Sequence, residues 1–532
     1  MSTDVAGSNA EPIFRSRWPD VDVPETPLAP FVLRRAEALA GKTAIVDGAS
    51  GRGYTYAELA AAVHRVAYGL SRRGFGKGDV FAIYSPNLPE YAFAFFGVAM
   101  VGGVVTTINP LATVEELAAQ LRDAGASYIV TVAPFLDKAR EAAAQTGVRE
   151  VFVFGEAEGA TPFAALLAED GALPEVRIDV REDVVVLPYS SGTTGLPKGV
   201  MLTHYNLVAN LLQIDRAAPV AEDDVLIAVL PFFHIYGMVV LMSLGLFSGA
   251  TVVSLPRFDL EQFLQTVETY GVTRLFLVPP IMLALAKHPL VDKHDLSKVV
   301  SILSAAAPLG RDVGDEVAAR LGCVVKQGYG MTEASPCTHI VPDELNRPGS
   351  VGLTAPNTEC KIVGVETGAA VGPGEPGEVW VRGPQVMKGY LNRPDATAAT
   401  VNEDGWLLTG DVGQMDEDGY LYIVDRIKEL IKYKGYQVAP AELEALLAAH
   451  PSIADAAVIG SPDEEAGEIP KAFVVLKGEI AADEIVAYVA ERVSPYKRIR
   501  QVEIVDQIPR SASGKILRRV LIEQERGRAA TP

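Results

Sequence analysis

Cysteine is scarce in this chain. Cys323, Cys337 and Cys360 are the only three in 532 residues, and no C-x-x-C pair occurs. An odd, scattered set supplies neither a disulfide framework nor a structural zinc site, and it suits a reducing compartment. Positive charge is also in deficit: 47 Lys and Arg face 67 Asp and Glu, a formal net charge of −20. So acidic a chain is no coat for nucleic acid or anionic membrane. It meets anionic ligands only through a local basic site. The opening residues, MSTDVAGSNAEP, lack the apolar core of a signal peptide. The closing RGRAATP is neither a lipidation motif nor a peroxisomal tripeptide. The expectation is a cytoplasmic protein without stable membrane insertion.

Two uncharged stretches, Tyr91 to Val114 and Ile235 to Pro256, have the length of membrane spans. Glycine and hydroxyl residues interrupt both: Gly97, Gly102, Gly103, Thr106 and Thr107 in one, Gly245, Ser248, Gly249 and Thr251 in the other. Each reads as a buried helix, a glycine turn and a buried strand, as in a parallel sheet covered on both faces.

What is present is ordinary globular composition, 49% apolar and 21% charged, in a chain long enough for several domain-sized units. Short β-branched runs, such as Val80–Ser85, Val184–Tyr189 and Arg274–Val278, alternate with helical patterns such as Tyr56–Arg73 and Leu260–Tyr270. That alternation predicts βαβ units. From about 351 to 424, Gly and Pro cluster and short alternating strands follow. Beyond Asp425 come two apolar strands and two helical patterns. The expected fold class is therefore α/β. A large N-terminal domain (1–424) holds parallel-rich sheets and a small β-barrel-like unit (about 351–424). A joint at 425–428 leads to a mobile, smaller α+β lid domain (429–532).

The strongest local signal is Tyr189-Ser-Ser-Gly-Thr-Thr-Gly-Leu-Pro-Lys-Gly199, directly after a predicted buried strand. Gly192, Gly195 and Gly199 let backbone N–H groups approach a ligand. Ser190, Ser191, Thr193 and Thr194 add hydroxyls, and Lys198 adds a point charge. The set suits phosphate. It is not a Walker A loop, because Gly199 stands where Ser or Thr should follow the lysine.

This loop resembles the signature of adenylate-forming enzymes: acyl-CoA synthetases, peptide-synthetase adenylation domains and firefly-type luciferases. Further similar motifs follow in the same order: Pro231-Phe-Phe-His-Ile-Tyr236, Gln327-Gly-Tyr-Gly-Met-Thr-Glu333, Trp406-Leu-Leu-Thr-Gly-Asp411, Asp425-Arg-Ile-Lys-Glu-Leu-Ile-Lys-Tyr-Lys-Gly435 and Pro509-Arg-Ser-Ala-Ser-Gly-Lys515. The resemblance spans roughly residues 25 to 523 and is strongest to 4-coumarate–CoA ligases and related acyl-CoA ligases. It implies ATP, Mg²⁺ and coenzyme A as cofactors and co-substrates, with a small carboxylic acid as the group activated.

Each motif has its own physical reading beside the implied one. Glu333 suits Mg²⁺, which takes one or two carboxylates plus phosphate oxygens; the lesser reading is a helix-capping surface acid. Tyr329 offers a face for a nucleobase, and in isolation a core tyrosine is commoner. The resemblance implies that Gln327, Gly328 and Tyr329 line the adenine pocket, with Gly330 and Met331 beside them, and that Thr332 meets the α-phosphate. Asp411 can accept from two vicinal hydroxyls, or simply close an Asx turn; the resemblance makes it a ribose ligand assisted by Arg426. A lone His234 before an apolar run is more often a core residue than a catalyst; by resemblance it positions the acid. Lys515, on a Ser/Gly loop, is by resemblance the adenylation lysine. The family alternates two poses of its lid. Lys515 serves the first; Lys432, Lys434, Gly435 and Gln437 serve the second, with Lys428 as hinge.

The implied acid pocket comprises His234, Tyr236, Val240, Ala305, Ala306, Gly330, Met331, Pro336 and Cys337. Three departures from the plant pattern stand out: Ala305 in place of Gly, Val240 in place of a small polar residue, and Ser335-Pro-Cys337 in place of Gly-Pro-Val. An extra methyl at Ala305 narrows a flat slot. The expected activity is AMP-forming ligation of a cinnamate-type acid to CoA, with a medium-chain fatty acyl-CoA synthetase as the alternative. Transfer to a carrier protein, light emission and non-catalytic nucleotide binding are less well supported by the motifs. Charge is uneven: residues 425–532 hold 16 Lys/Arg and 17 Asp/Glu, so nearly all of the net acidity lies before the joint.

Overall fold

Strands Val80–Tyr84 and Val104–Ile108 are buried at every position, which explains why they read as unbroken apolar runs. They lie at the centre of an eight-stranded sheet. From edge to edge it runs Gly389–Tyr390, Lys198–Thr203, Val184–Ser190, Val104–Ile108, Val80–Tyr84, Ala126–Val132, Glu150–Phe154 and Thr161–Pro162. All pairings are parallel except the two made by Lys198–Thr203. The computed structural model describes residues 11–190, 197–463, 465–511 and 514–529.

A second, seven-stranded sheet runs Val324–Gln327, Ser301–Ser304, Arg274–Leu277, Val225–Ala228, Thr251–Ser254, Thr43–Asp47 and Gly53–Thr55. Only its last pairing is antiparallel. Helices close against both sheets and start where the sequence caps them. Thr55 with Glu58, and Thr113 with Glu116, form capping boxes for Tyr56–Arg72 and Val114–Ala124. Helix Pro89–Met100 is almost wholly buried and packs against Tyr56–Arg72. No described helix is long and apolar enough to cross a membrane.

The stretch from Ile235 gives helix, glycine turn and strand, with one difference. Tyr236–Ser243 is a π-helix that runs into α-helix Leu244–Ser248. The wider turn has local causes. A Cβ on Gly237 would lie 2.2 Å from the Pro231 carbonyl oxygen, so this backbone packs directly on the preceding turn. Ser243 Oγ also donates to the Met238 carbonyl, five residues back, at 2.8 Å. Such widened turns are frequent at functional sites.

The third sheet has nine strands and extends beyond 351–424. It includes Tyr329–Gly330 and Cys337–Ile340, and Phe14–Arg15 pairs with Glu359–Val363 at the other edge. The path is open: its two edge strands do not pair with each other among the described residues, so the unit is an open sheet rather than a closed barrel. The fourth sheet is five-stranded and lies wholly after the joint. It joins Ile431–Tyr433, Tyr436–Val438, Ile453–Asp463, Gly467–Leu476 and Gln501–Ile504, and helices Pro440–Ala448 and Ala482–Ala490 share its apolar core.

Two buried features make this fold testable. A Cβ on Gly69 would lie 2.4 Å from the Leu166 carbonyl oxygen, whereas one on Gly76 would meet nothing within 4 Å. Gly69→Val should therefore destabilise by about 1–3 kcal/mol in chemical denaturation, with Gly76→Val near neutral. Buried His204 accepts the Leu28 N–H on Nδ1 at 3.1 Å, while its Nε2 has no partner among the described residues. Burial lowers its pKa from 6.5 to about 4. The unfolded chain thus binds this proton below about pH 6.5 while the fold does not, so stability falls as pH drops from there toward 4. His204→Asn, which keeps an acceptor, should show a smaller loss of melting temperature between pH 7 and 5 than the parent chain.

Candidate active site

The signature loop joins two antiparallel strands, and Ser190 faces Lys198 in their register. Ser191, Gly192, Thr193, Thr194 and Gly195 lie outside the described residues. At the loop's mouth, Ser190 Oγ donates to Glu333 Oε1 at 2.8 Å. The Tyr390 hydroxyl donates to the same oxygen at 2.8 Å. Lys198 Nζ stands 4.6 Å from the centre of the Tyr390 ring. Two distant segments therefore meet on the carboxylate of Glu333, a residue only 4% exposed. Glu333 sits in the turn Thr332–Ala334, which also carries Thr332. Its Oε2 takes no hydrogen bond among the described residues. One carboxylate oxygen beside a phosphate-suited loop fits the donor set that Mg²⁺ prefers. Tyr390 escaped the sequence reading: a tyrosine in a two-residue edge strand carries no motif of its own.

Asp411 and Arg426 are direct cross-strand neighbours. Arg426 Nε lies 3.1 Å from Asp411 Oδ1, and the Tyr329 hydroxyl donates to Oδ2 at 2.6 Å. Burial, followed by the Asp411 charge, pushes the Tyr329 phenol well above its usual range. The hydroxyl is thus committed to Asp411. Gln327 is held from behind by its own Oε1, which accepts the Leu309 N–H at 3.1 Å. Gly328 N–H donates to the Ser304 carbonyl at 3.2 Å.

Lys515 reaches this group from beyond the joint. Ser511 N–H donates to the Lys515 carbonyl at 2.8 Å, and Lys515 N–H to Ser511 Oγ at 3.1 Å. Arg510 pairs with both oxygens of Asp455 and donates to the Gly514 carbonyl at 2.8 Å. Gly514 in turn faces Val278 and Pro280. Burial lowers the Lys515 pKa, and Arg426 lowers it further; Asp411 and Glu333 oppose both. His234 is pushed down to about 3, first by burial and then by the Lys515 charge. It is neutral near pH 7, and its Nδ1 accepts the Tyr236 N–H at 3.3 Å.

The structure does not bring the other candidates from beyond the joint here. Lys432, Lys434, Gly435 and Gln437 are exposed on the hairpin Ile431–Tyr433/Tyr436–Val438, where Lys434 pairs with Glu465. Lys428 lies in the turn Ile427–Glu429, and burial lowers its pKa.

The acid-pocket candidates form a neighbouring wall. Tyr236 and Val240 share the π-helix, and the Tyr236 hydroxyl donates to the Leu303 carbonyl at 3.1 Å. A Cβ on Gly330 would fall 1.9 Å from the Pro336 carbonyl oxygen, and Met331 N–H donates to that oxygen at 3.0 Å. Only glycine fits there. Ala305 N–H donates to the Leu277 carbonyl at 3.1 Å. The strained position is its neighbour: Ala306 has φ of 72°. Cys337 is buried and unpaired, and burial pushes its thiol up to about 12.

Comparison with known proteins identifies the family of the chain. The model of the AMP-binding enzyme family matches residues 32–391, and that of the AMP-binding enzyme C-terminal domain matches 442–515. 4-coumarate–CoA ligase 5 of Oryza sativa subsp. japonica is 46% identical over 523 residues, covering 96% of each chain. 4-coumarate–CoA ligase 2 of Petroselinum crispum is 44% identical, over 97% of this chain and 98% of its own. A solved anthranilate CoA ligase bound to anthranoyl-AMP superposes with a TM-score of 0.88 at 27% identity, covering 96% of this chain and 99% of that one. The chain is a member of the AMP-binding enzyme family.

Proposed function

We propose that this protein is an ATP-dependent acid–CoA ligase for cinnamate-type acids. The observation that carries the reading is the convergence of Lys515, from beyond the joint, on Asp411, Arg426 and Glu333 at the mouth of the phosphate-suited loop. Similarity along nearly the whole chain to 4-coumarate–CoA ligases supports the acid class. We further propose a body of 1–424, a hinge at 425–428 centred on Lys428, and a lid of 429–532. The scarcity of cysteine favours the cytoplasm.

A carboxylate is a poor acyl donor, because oxide is its leaving group. In the first half-reaction its oxygen attacks the α-phosphorus of ATP and pyrophosphate departs. Asp411 and Arg426 hold the ribose, and Gln327, Gly328 and Tyr329 border the base. Lys198 and the loop hydroxyls take the outer phosphates, while Thr332 and Lys515 meet the α-phosphate and the incoming carboxylate. Fixed positive charge on a crowded anionic centre lowers the barrier most where it needs no reorganisation. Mg²⁺ at Glu333 would offset charge on the departing pyrophosphate. Neutral His234 helps place the acid at the edge of the pocket. In the second half-reaction the CoA thiol attacks the acyl carbon and AMP leaves. For that step the lid rotates about Lys428 and presents Lys432, Lys434, Gly435 and Gln437.

Two measurements test the proposal. With ATP and CoA, 4-coumarate and cinnamate should release pyrophosphate and form AMP and thioester with kcat/KM at least about tenfold above that of medium-chain fatty acids, roughly the discrimination that one or two methylenes' worth of fit provides. The reverse ranking would assign the fatty-acyl activity instead. Lys515→Ala should cut adenylation by about 10²–10³-fold yet spare thioester formation from added acyl-adenylate. Lys428→Pro should show the opposite split, read as pyrophosphate release without thioester. Equal loss of both half-reactions in both variants would count against two lid poses.

A further inference from the structure

Helix His204–Ala217 begins at Thr203, directly after the strand that leaves the signature loop. It turns the amides of Asn206, Asn210 and Gln213 into the protein interior. Asn210 is wholly buried. Its Oδ1 accepts the Cys337 N–H at 3.1 Å, and its Nδ2 donates to the Cys337 carbonyl at 2.8 Å and to Gln213 Oε1 at 2.9 Å. This two-point pairing is what a neighbouring β-strand would give, made here by a side chain. On its other side Cys337 pairs with Gly330. Because Gly330 touches the Pro336 carbonyl with no space for a methyl, and Met331 donates to that same oxygen, the Pro336–Cys337 backbone and the Gly330–Met331 backbone move only together.

We propose that Asn210 is a positioning residue for the acid: by fixing the Cys337 backbone it sets the width of the acid slot, without touching the substrate. The inference rests on the ligase reading above. A primary amide is suited to the task because it offers a donor and an acceptor at the spacing of a peptide group. Alanine offers neither. A protonated aspartic acid offers both, and burial favours that form.

The test is steady-state pyrophosphate release at pH 6, varying 4-coumarate and ATP separately, for the wild type, Asn210→Ala and Asn210→Asp. The alanine variant should raise KM for the acid at least tenfold with KM for ATP within twofold. The aspartate variant should return the acid KM to within threefold of wild type. An unmoved acid KM in the alanine variant, a parallel rise in both KM values, or an aspartate variant no better than alanine would each overturn the role. Should Asn210→Ala aggregate, Asn210→Ser takes its place against the same criteria. A wild type that releases no pyrophosphate refutes the ligase reading, whereas an active wild type with unmoved variants refutes only the part given to Asn210.

Discussion

Asp411 and Glu333 are held almost entirely out of water, at 6% and 4% exposure, and are neutralised very differently. Asp411 has a guanidinium and a phenol on its two oxygens. Glu333 has two neutral hydroxyl donors, both on one oxygen, and no ion pair among the described residues. A buried carboxylate without a cation is costly by several kcal/mol. Arg426 and Lys515 interact favourably with the charge of Glu333. Glu333 therefore has no direct cationic partner among the described residues, and the reading proposed above gives that place to Mg²⁺.

Lys515 bears the complementary cost. It is desolvated, and its pKa falls accordingly. Its flanks are tied down by ion pairs and hydrogen bonds. Arg510 ties one side to Asp455 and Gly514, while Arg518 ties the other to Glu429 and Glu444. Glu444 is itself raised to about 7 by burial, against the pull of Arg518. The residues on either side of the lysine are thus bonded into the C-terminal sheet and its joint. The charge split along the sequence fits this division, since the segment after the joint is close to neutral and the rest carries the acidity.

Much of this was legible in the residues. The parallel strands announced themselves because both their faces are buried, as in Val80–Tyr84, and the helices by their apolar pattern, as in Tyr56–Arg72. Motif order brought out Asp411, Arg426, Glu333 and Lys515 together. Non-local pairing was not legible. Nothing in Phe14–Arg15 foretells a partner near Cys360, and the third sheet is wider than its composition suggested for that reason. The π-helix at Tyr236 depends on how Gly237 meets Pro231, which a hydrophobic pattern does not encode. Ala305 drew attention as a departure from a family pattern, yet Ala306 carries the left-handed backbone. Tyr390 and Asn210 act through tertiary hydrogen bonds alone.

Those last two residues connect parts of the site that the motifs treat as separate. The helix carrying Asn210 also carries Asn206, which donates to the carbonyls of Pro384 and Val386, and Gln213, which bonds Gln385. The next residue, Met387, donates its N–H to the Glu333 carbonyl at 2.8 Å, and Tyr390 lies three residues beyond. One helix thus grips the acid-slot wall at Cys337 and, through 384–390, the backbone that holds Glu333 at the phosphate end. Buried amides of this kind are costly to leave half-satisfied, so the network shifts as a unit or not at all. On the ligase reading proposed above, a substitution that widens the slot at Cys337 also shifts the geometry around Glu333, which links acid specificity to nucleotide positioning.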